Sequence, residues 1–349
     1  MTQTDRRPPG ASLVTGGAGF VGRHLVEALA CEGGSVRSLD IAGDRLAVEG
    51  VESVTGSITD RDAVARAMAG MDTVFHAGAN AQLWLRNKSA FETVNFEGTR
   101  IVLEAARAAG VRRFIHVSSL TVLVGRHMGR APISLDETNR NLTADEMLGP
   151  YPRSKLLGEQ AALAANAPDF SVTAVLPTLP IGPGDDHLTA PTRMIVDLVN
   201  GQIPAYLDCV HNLVDVRDLA QGMIAARDKG RPGERYLLGG QNISMADLLD
   251  VLRDMTGRTM PSARAPYPLA LMAGAMAEFL ADMVTRRPPR APLTGVRLAG
   301  RRIHFDSAKA RTDLGFTVRP MRESLREALI WARDHGHIIR PMPKLTRAD

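Results

Sequence analysis

The chain has little of what marks secreted, membrane-spanning or nucleic-acid-binding proteins. Only two of its 349 residues are cysteines, and Cys31 and Cys209 lack metal-ligand spacing, which argues against disulfides and a metal site. No run of about eighteen apolar residues occurs, so no membrane-spanning helix is expected. The N-terminal residues lack the apolar core of a signal peptide. A net charge of +4 does not indicate nucleic-acid binding. We therefore predict a cytoplasmic protein with no bound metal or nucleic acid.

The composition is that of an ordinary globular protein, with 44% hydrophobic and 23% charged residues. Its length suits one large domain or two joined domains. In the first half, apolar β-rich runs alternate with alanine-rich helical runs, which is typical of βαβ units and a parallel sheet. The predicted strands are 12–15, 35–40, 51–55, 73–76, 113–118 and 171–176, and the predicted helices are 19–31, 61–69, 91–109 and 152–166.

A glycine-spaced turn follows the first predicted strand. Gly16 permits a sharp turn, Gly19 lets backbone approach a pyrophosphate, and Gly22 lets the next helix pack closely on the strand. The helix N-terminus adds free N–H groups and the positive end of a dipole. This pattern predicts a dinucleotide site, with Phe20 and Val21 among its contacts.

An acidic residue ends the second predicted strand. Asp40 lies 24 positions after Gly16, where a carboxylate binds the adenosine ribose hydroxyls and repels a 2′-phosphate. The alternative is a solvated strand-end residue, and Arg37 and Arg45 nearby could soften the preference. We predict NAD as the cofactor, with NADP less favoured.

The pattern changes after Pro177 to Pro- and Gly-rich loops with scattered helices, predicted at 191–200, 216–227, 244–256, 268–283 and 322–335. The predicted fold is therefore α/β, a Rossmann-type doubly wound parallel sheet with a smaller, mainly helical C-terminal substrate lobe. The predicted units are a disordered tail over 1–10, an NAD-binding domain over 11–176, an interleaved substrate lobe over 177–340 and a tail over 341–349.

Tyr151 and Lys155 lie four residues apart, which places both on one face of a helix. A phenol has a pKa of about 10, and a neighbouring ammonium with a charged nicotinamide ring would lower that pKa. Lys155 can also bind the nicotinamide ribose. Alone, such a pair is more often a chance surface feature, but after a dinucleotide site it predicts catalysis. Ser119, after the strand 113–118, is the predicted third partner, with Ser118 as a structural cap.

Together these motifs resemble the extended short-chain dehydrogenase/reductase superfamily. The resemblance covers roughly residues 11–335 and also rests on segments 56–60, 74–79, 95–99, 180–185, 212–216, 233–236 and 314–316. It implies that the Asp60 carboxylate and the Ile58 backbone approach the adenine. The other implied cofactor contacts are His76, Ala77, Gly78, Asn95, Ser118, Pro177 and Leu179. The alternative for His76 is a packing role at a strand end, and for Asn95 a hydrogen bond that anchors a helix.

Within the superfamily the chain is similar to the dihydroflavonol reductase-like and 3β-hydroxysteroid dehydrogenase-like branch, and in particular to the hopanoid-associated sugar epimerase group. This finer resemblance rests on 83–84, 144–149, 203–206, 212–214, 236–240 and 307–310.

Two loops bear on the substrate class. A nucleotide-sugar enzyme needs cations for a second pyrophosphate, usually arginines, but 176–180 holds no Asn or Arg and 206–212 is acidic. Arg193 or Arg217 could compensate. The predicted pocket wall is mainly apolar and comprises Leu83, Trp84, Thr121, Leu123, Thr178, Met194 and Tyr206.

We therefore expect an oxidoreductase that interconverts a secondary alcohol and a ketone on an apolar, ring-containing substrate of sterol, terpenoid or flavonoid type. Tyr151 would move the proton and Ser119 would hold the oxygen. The alternatives are a sugar-nucleotide epimerase or dehydratase with the same catalytic residues, and an NAD-sensing protein without activity. Related enzymes also suggest a homodimer through the helices that contain 91–109 and 152–166.

The segment 267–284 is rich in Ala, Met and Leu, and Arg286, Arg287, Arg290, Arg297, Arg301 and Arg302 follow it. A helix of this kind beside a basic patch, within 267–302, could dock on an anionic membrane. The favoured alternative is a lid helix packed on the second lobe.

Overall fold

The computed structural model describes residues 10–46, 48–139 and 142–345. The predicted tail residues 1–9 and 346–349 lie outside these ranges. The strands are β1 (Ser12–Thr15), β2 (Val36–Asp40), β3 (Val51–Thr55), β4 (Thr73–His76), β5 (Arg113–Val117), β6 (Ile133–Leu135), β7 (Ser171–Pro177), β8 (Leu179–Ile181), β9 (Ala205–Tyr206), β10 (Val210–Asp215), β11 (Arg235–Leu238), β12 (Gln241–Ser244), β13 (Ala263–Arg264) and β14 (Ile303–Phe305).

The α-helices are α1 (Phe20–Cys31), α2 (Arg61–Met68), α3 (Ser89–Glu92), α4 (Gly98–Ala108), α5 (Pro150–Ala164), α6 (Ala190–Val199), α7 (Val216–Lys229), α8 (Met245–Thr256), α9 (Tyr267–Leu280), α10 (Leu293–Ala299) and α11 (Met321–Asp334). The helix predicted at 91–109 is interrupted, because a wide helical turn over Thr93–Glu97 separates α3 from α4.

Seven strands form a parallel sheet in the order β11-β7-β5-β4-β1-β2-β3. Apolar residues of α1 and α7 form one core cluster against the sheet, and those of α2, α4 and α5 form another. The doubly wound parallel architecture is confirmed. Sequence reasoning missed β11, whose short apolar run lies in the part interpreted as helical.

The carboxyl ends of β1 and β4 form the crevice of the sheet. β1 lies between β2 and β4, so the strand order reverses at this point, which is where α/β sheets bind ligands. The backbones after the two strands nearly touch there. A Cβ atom on Gly16 would lie 2.7 Å from the Gly78 Cα.

The C-terminal lobe is helical around a small sheet, β12-β10-β8. Helices α6, α8 and α11 contribute to its apolar core, together with Met342 and Leu345 from the segment predicted as a tail. β8 follows β7 after a single residue, so the lobe is continuous with the central sheet.

The helix predicted at 268–283 corresponds to α9 and a wide helical turn, Ala281–Thr285. In the described part of the chain, Tyr267–Thr285 is the stretch that is long and apolar enough to cross a membrane by length and composition. The criterion of an uninterrupted apolar run therefore missed this helix, and whether it spans a membrane is not tested by its length and composition. The acidic residues Glu278 and Asp282 interrupt the apolar run that the sequence criterion required, but the mean hydropathy of the helix remains high.

Candidate active site

The glycine turn after β1 has the backbone geometry of a phosphate cradle. Gly16 has φ +72°, in the left-handed region that favours glycine. A Cβ atom on Gly22 would lie 2.0 Å from the Gly16 carbonyl oxygen, so only glycine lets α1 start this close to the strand. A Cβ atom on Gly19 would instead meet only that oxygen, at 3.2 Å, which leaves its outer side open to a ligand.

The next residues fix the start of α1. Phe20 is buried and its ring contacts the His24 ring edge-on, with 5.7 Å between the centroids. Val21 is half-buried and packs on the apolar cluster of α1 and α7. Both side chains thus hold the helix to the fold, and the backbone N–H groups of the first turn remain the groups suited to bind phosphate.

Asp40 is held directly against the glycine turn. Its carboxylate accepts hydrogen bonds from the Ala18 N–H at 3.1 Å and the Ala42 N–H at 2.9 Å. Arg37 on the same strand points elsewhere, because its guanidinium pairs with Glu52 at 2.7 Å. The guanidinium of Arg37 is therefore not placed to offset the Asp40 carboxylate beside the turn, which favours NAD over NADP.

The residues predicted to contact adenine also have structural roles. Asp60 caps α2, since its Oδ1 accepts hydrogen bonds from the N–H groups of Asp62 and Ala63 at 3.0 and 3.1 Å. Ile58 is buried and lies within 3.1 Å of the position that a Cβ atom would take on Gly78. Sequence reasoning missed the capping role, although an aspartate directly before a helix is a common capping signal.

His76 is buried and fully hydrogen-bonded. Its Nδ1 lies 2.8 Å from the Thr15 hydroxyl, and its Nε2 lies 2.9 Å from the Thr99 hydroxyl. Thr99 already donates its proton to the Asn95 carbonyl, so Nε2 must carry the proton that Thr99 accepts. Burial and the nearby Lys155 lower the pKa of His76 to about 3. A neutral, satisfied ring of this kind has a packing role and is not suited to proton transfer.

The hydrogen bonds of His76 extend to the loop after β4. The Thr15 hydroxyl accepts the Gly78 N–H at 3.0 Å, and the Ala77 N–H donates to the Thr15 carbonyl at 3.2 Å. Asn95 is also an anchor, because its side-chain amide bonds both the N–H and the carbonyl of Asn80. These bonds hold the predicted cofactor segment against the end of β1.

The same Asn95 amide reaches the helix that carries Tyr151 and Lys155. It donates to the Ser154 hydroxyl at 2.9 Å, and Ser154 in turn donates to the Tyr151 carbonyl. Asn95 therefore positions α5 relative to the cofactor loop.

Tyr151 and Ser119 form a buried hydroxyl pair. The Ser119 Oγ accepts hydrogen bonds from the N–H and the hydroxyl of Thr121 at 3.2 and 3.0 Å, which leaves its own proton for Tyr151. Burial raises the pKa of Tyr151, and the hydrogen bond to Ser119 only partly opposes this rise. The chain by itself does not lower the pKa of Tyr151, and the lowering expected from the ammonium together with a charged nicotinamide ring stays a prediction.

Lys155 is buried in the same region but bonds the backbone. Its Nζ donates to the Val117 carbonyl at 2.7 Å. Burial lowers the pKa of Lys155 from 10.5 to about 8, although Glu159 opposes the change. The ammonium lies at the end of β5, one turn of α5 beyond Tyr151.

Ser118 Oγ and Thr178 Oγ1 are among the buried hydroxyls that lack a hydrogen-bond partner within the described residues. They follow the ends of β5 and β7, neighbouring strands at the crevice edge, and Thr178 lies between Pro177 and Leu179, where β7 ends and β8 begins. Leaving a buried hydroxyl unpaired costs about 1–3 kcal/mol, so both sites suit a bound polar group. Together with the glycine turn and Asp40, these residues fit NAD.

The residues predicted to form the substrate pocket do not share one wall. Leu123 is fully buried in the core, so it presents no surface to a ligand, and Thr121 is buried beside Ser119. Trp84 is buried with its indole N–H donating to Asp282 at 2.9 Å, which ties it to the turn after α9. Leu83 faces α10, within 3.2 Å of the Cβ position of Gly295.

Met194 and Tyr206 belong to the core of the C-terminal lobe. The Tyr206 hydroxyl accepts a hydrogen bond from Arg264 at 3.1 Å. Both Arg264 and Arg302 pair with Asp208, so the acidic loop 206–212 has cations beside it. Sequence reasoning missed these arginines because they lie far along the chain and no local pattern connects them to the loop.

The two arginines considered as compensating cations lie elsewhere. Arg217 is held by Asp215 at 2.8 Å and by Glu327, while Arg193 is exposed on α6. Sequence reasoning also missed a cleft of about 490 Å³ beside the first turn of α5. Its lining includes Lys88, Glu92, Asp145, Gly149, Pro150 and Arg153.

Comparison with known proteins identifies relatives over nearly the whole chain. A putative dihydroflavonol 4-reductase of Synechocystis is 33% identical over 93% of this chain and 95% of its own length. A 3-beta-hydroxysteroid dehydrogenase of Mycolicibacterium neoaurum is 31% identical over 90% of this chain and 88% of its own. The crystal structure of gox2253 matches with a TM-score of 0.81 and 31% identity over 95% of this chain and all of that one.

The sequence model of the NAD dependent epimerase/dehydratase family matches residues 12–239. This range contains the glycine turn, Asp40, Ser119, Tyr151 and Lys155, which the fold brings to the carboxyl edge of one sheet. The chain is therefore an NAD-dependent enzyme of the extended short-chain dehydrogenase/reductase type and belongs to the NAD dependent epimerase/dehydratase family.

Proposed function

We propose that this enzyme interconverts a secondary alcohol and a ketone on an apolar, ring-containing substrate of sterol, terpenoid or flavonoid type. The relatives named for a dihydroflavonol and for a 3β-hydroxysteroid support this substrate class. The observation that carries the proposal is that Arg217, Arg264 and Arg302 of the C-terminal lobe already form ion pairs with carboxylates.

A sugar nucleotide would bring a second pyrophosphate, which needs unneutralised cations. Arg302 and Arg264 are already paired with Asp208, and Arg217 is held by Asp215 and Glu327. A pyrophosphate would have to displace a carboxylate from each guanidinium that it bound. An apolar ring system makes no such demand, so these existing ion pairs favour it.

The proton chemistry lies with Tyr151. Its raised pKa keeps the phenol protonated at neutral pH, which is the form that donates to a ketone oxygen as that oxygen gains negative charge. Ser119 hydrogen-bonds the phenol and is positioned to hold the same substrate oxygen. Bound NAD supplies the hydride chemistry. The Lys155 ammonium is mostly charged below pH 8 and lies one turn of α5 from the phenol, where it is placed to hold the nicotinamide ribose.

The second candidate is a sugar-nucleotide epimerase or dehydratase. Its support is the convergence of Arg264 and Arg302 on one loop, since release of Asp208 would expose two guanidinium groups together. The catalytic residues do not distinguish the candidates, because an epimerase uses the same proton and hydride transfers.

A turnover assay separates the two functions. Purified enzyme with NAD or NADH is supplied with 3β-hydroxysterols, flavanonols and UDP-sugars, and NADH formation, NADH loss and isomeric products are measured. We expect turnover of an apolar alcohol or ketone and none of UDP-sugars. Tyr151→Phe should abolish the turnover but retain NAD binding in a thermal-shift titration. Turnover of UDP-sugars alone would refute the apolar substrate, and activity in Tyr151→Phe would refute the assigned mechanism.

A further inference from the structure

The helix formed by α9 and its following turn, Tyr267–Thr285, turns its charged edge toward the protein. Glu278 and Asp282 lie 3.1 and 3.3 Å from the Lys88 Nζ. Glu278 also accepts the Leu293 N–H, and Asp282 accepts the Trp84 indole N–H. Both carboxylates of this helix are therefore satisfied by groups beneath it.

The opposite edge of the same helix is apolar and faces outward. Its large side chains recur every three or four residues, so they form one stripe. Their exposed fractions run from 42% to 68%, and only 11% of the helix window is buried. The stripe comprises Leu269, Met272, Met276, Phe279, Leu280, Met283 and Val284. A surface helix of a soluble protein normally turns its apolar side toward the core and its charged side toward solvent. A contiguous, outward-facing apolar stripe of this kind therefore marks an interaction surface.

Positive charge lies at the C-terminal end of the stripe. Arg286, Arg287 and Arg290 are all exposed there. With both carboxylates turned inward, the outer surface of this region combines apolar and cationic groups without an acidic group of its own helix. This combination complements an anionic lipid surface, in which acyl chains lie beneath phosphate groups.

The helix lies along the protein surface, and its start and its middle are held on that surface. At its start, the Tyr267 ring stacks with Arg130, whose guanidinium carbon is 4.1 Å from the ring centroid. At its middle, Gly274 packs on Val296 of α10, with a Cβ position 3.2 Å from that side chain. A spanning orientation would break these contacts and move Glu278 and Asp282 into hydrocarbon. The geometry therefore fits a helix in the plane of the interface.

A second copy of the chain fits this surface less well. In a symmetric dimer the arginine end would face either its own copy or the N-terminal end of the partner helix. Neither end offers a carboxylate, because both acidic residues of the helix bind Lys88.

We propose that the Tyr267–Thr285 helix docks the enzyme on an anionic lipid bilayer. The apolar stripe enters the boundary between headgroups and acyl chains, and Arg286 and Arg287 lie at the phosphate level. The docked helix lies close to the helix of Tyr151. It packs on α10 through Gly274 and Val296, and Thr294 of α10 in turn packs on Gly149, since a Cβ atom on Gly149 would lie 2.3 Å from the Thr294 hydroxyl oxygen. Gly149 immediately precedes α5, the helix of Tyr151.

Vesicle co-sedimentation tests the proposal with the full chain. Vesicles of phosphatidylcholine, with and without phosphatidylglycerol, are compared at low and high salt. We expect binding to the anionic vesicles at low salt, and weaker binding at high salt. The double variant Met276→Glu/Phe279→Glu should lower the partition constant about a hundredfold, since each lost apolar contact is worth about tenfold. Arg286→Gln/Arg287→Gln should lower it about thirtyfold on anionic vesicles only.

Ile339→Glu is the matched control, because Ile339 is 77% exposed and lies outside the helix. It should bind vesicles as the wild type does, and all variants should keep the wild-type melting temperature and NAD affinity. Failure of the wild type to bind anionic vesicles at low salt would overturn the proposal. So would a wild-type dimer that Met276→Glu/Phe279→Glu dissociates while vesicle binding stays unchanged.

Discussion

Replacing the buried Lys155 by methionine should stabilise the free enzyme at neutral pH while it impairs catalysis. Lys155 is 4% exposed, and burial lowers its pKa from 10.5 to about 8. One pKa unit corresponds to about 1.4 kcal/mol, so keeping this charge in the folded state costs about 3 kcal/mol at pH 7. Methionine has a similar length and no charge, and removes this cost.

The substitution also removes one favourable contact. The Lys155 Nζ donates to the Val117 carbonyl at 2.7 Å, and the loss of such a bond costs about 1 kcal/mol. We therefore expect Lys155→Met to raise the free energy of unfolding by about 2 kcal/mol at pH 7.

The difference should depend on pH in a defined window. Below pH 8 the lysine is charged in both the folded and the unfolded chain, so the full cost is present. Between pH 8 and 10.5 the unfolded chain binds the proton more tightly than the folded chain, so wild-type stability from this group rises with pH. The advantage of Lys155→Met should therefore shrink across this window and reverse to about −1 kcal/mol above it, where only the lost hydrogen bond remains.

Urea unfolding followed by the fluorescence of Trp84 and Trp331 measures this difference. Each variant is compared with the wild type at one pH below 8 and at one near 10, so contributions of other groups cancel. Lys155→Arg is the control, because its guanidinium stays charged and should lose stability relative to the wild type as pH rises. The burial cost of the Lys155 charge would be refuted if the difference in the free energy of unfolding between Lys155→Met and the wild type did not change with pH. It would also be refuted if the variant were less stable than the wild type at pH 7.

Three further results are expected. Because burial raises the pKa of Tyr151, the rate of alcohol oxidation should rise with pH beyond neutrality and the rate of ketone reduction should fall. Initial rates in both directions over a pH series measure these trends. An oxidation rate that is limited by the chemical step and does not change with pH would contradict the prediction. Asp40→Ala should reduce the preference for NAD over NADP about tenfold or more in kcat/KM, since the carboxylate that repels a 2′-phosphate is lost; an unchanged ratio would show that Asp40 does not set it. Gly22→Ala should abolish NAD affinity and lower the melting temperature, because the added Cβ atom would lie 2.0 Å from the Gly16 carbonyl oxygen. Gly129→Ala is the control, since its added Cβ atom would have its nearest contact at 4.0 Å, and it should change neither the NAD affinity nor the melting temperature.

The sheet and the cofactor cradle could be predicted because their signals are local. Short apolar runs bounded by turns locate β1 to β5 and β7 to within a residue or two, and the glycine spacing fixes the turn after β1. The ends of β2 and β5 then place Asp40 and Ser119 at the same edge of the sheet, since parallel strands end at one edge.

The substrate side could not be predicted because it depends on contacts between distant parts of the chain. The sequence suggests that Trp84 is an apolar residue of the pocket wall. In the structure its indole N–H donates to Asp282, which lies 198 positions later in the chain. In the sequence, Leu123 cannot be distinguished from an apolar residue that lines a pocket, but the structure buries it fully in the core. The charge of the loop at Asp208 is set by Arg264 and Arg302, which no pattern in that loop indicates.

The pKa values of Tyr151 and Lys155 also depend on burial in the fold, which their spacing in the sequence does not indicate. Spacing alone places Tyr151 and Lys155 on one helix face and suggests that the ammonium favours the phenolate. The fold buries both groups, and burial favours the neutral form of each, so the pKa of Tyr151 rises while that of Lys155 falls to about 8. The two pKa values therefore move in opposite directions, and that of Tyr151 comes to lie above that of Lys155. At pH 7 the phenol is protonated and the neighbouring amine still holds its proton, which is the state of the pair that can give a proton to a ketone oxygen.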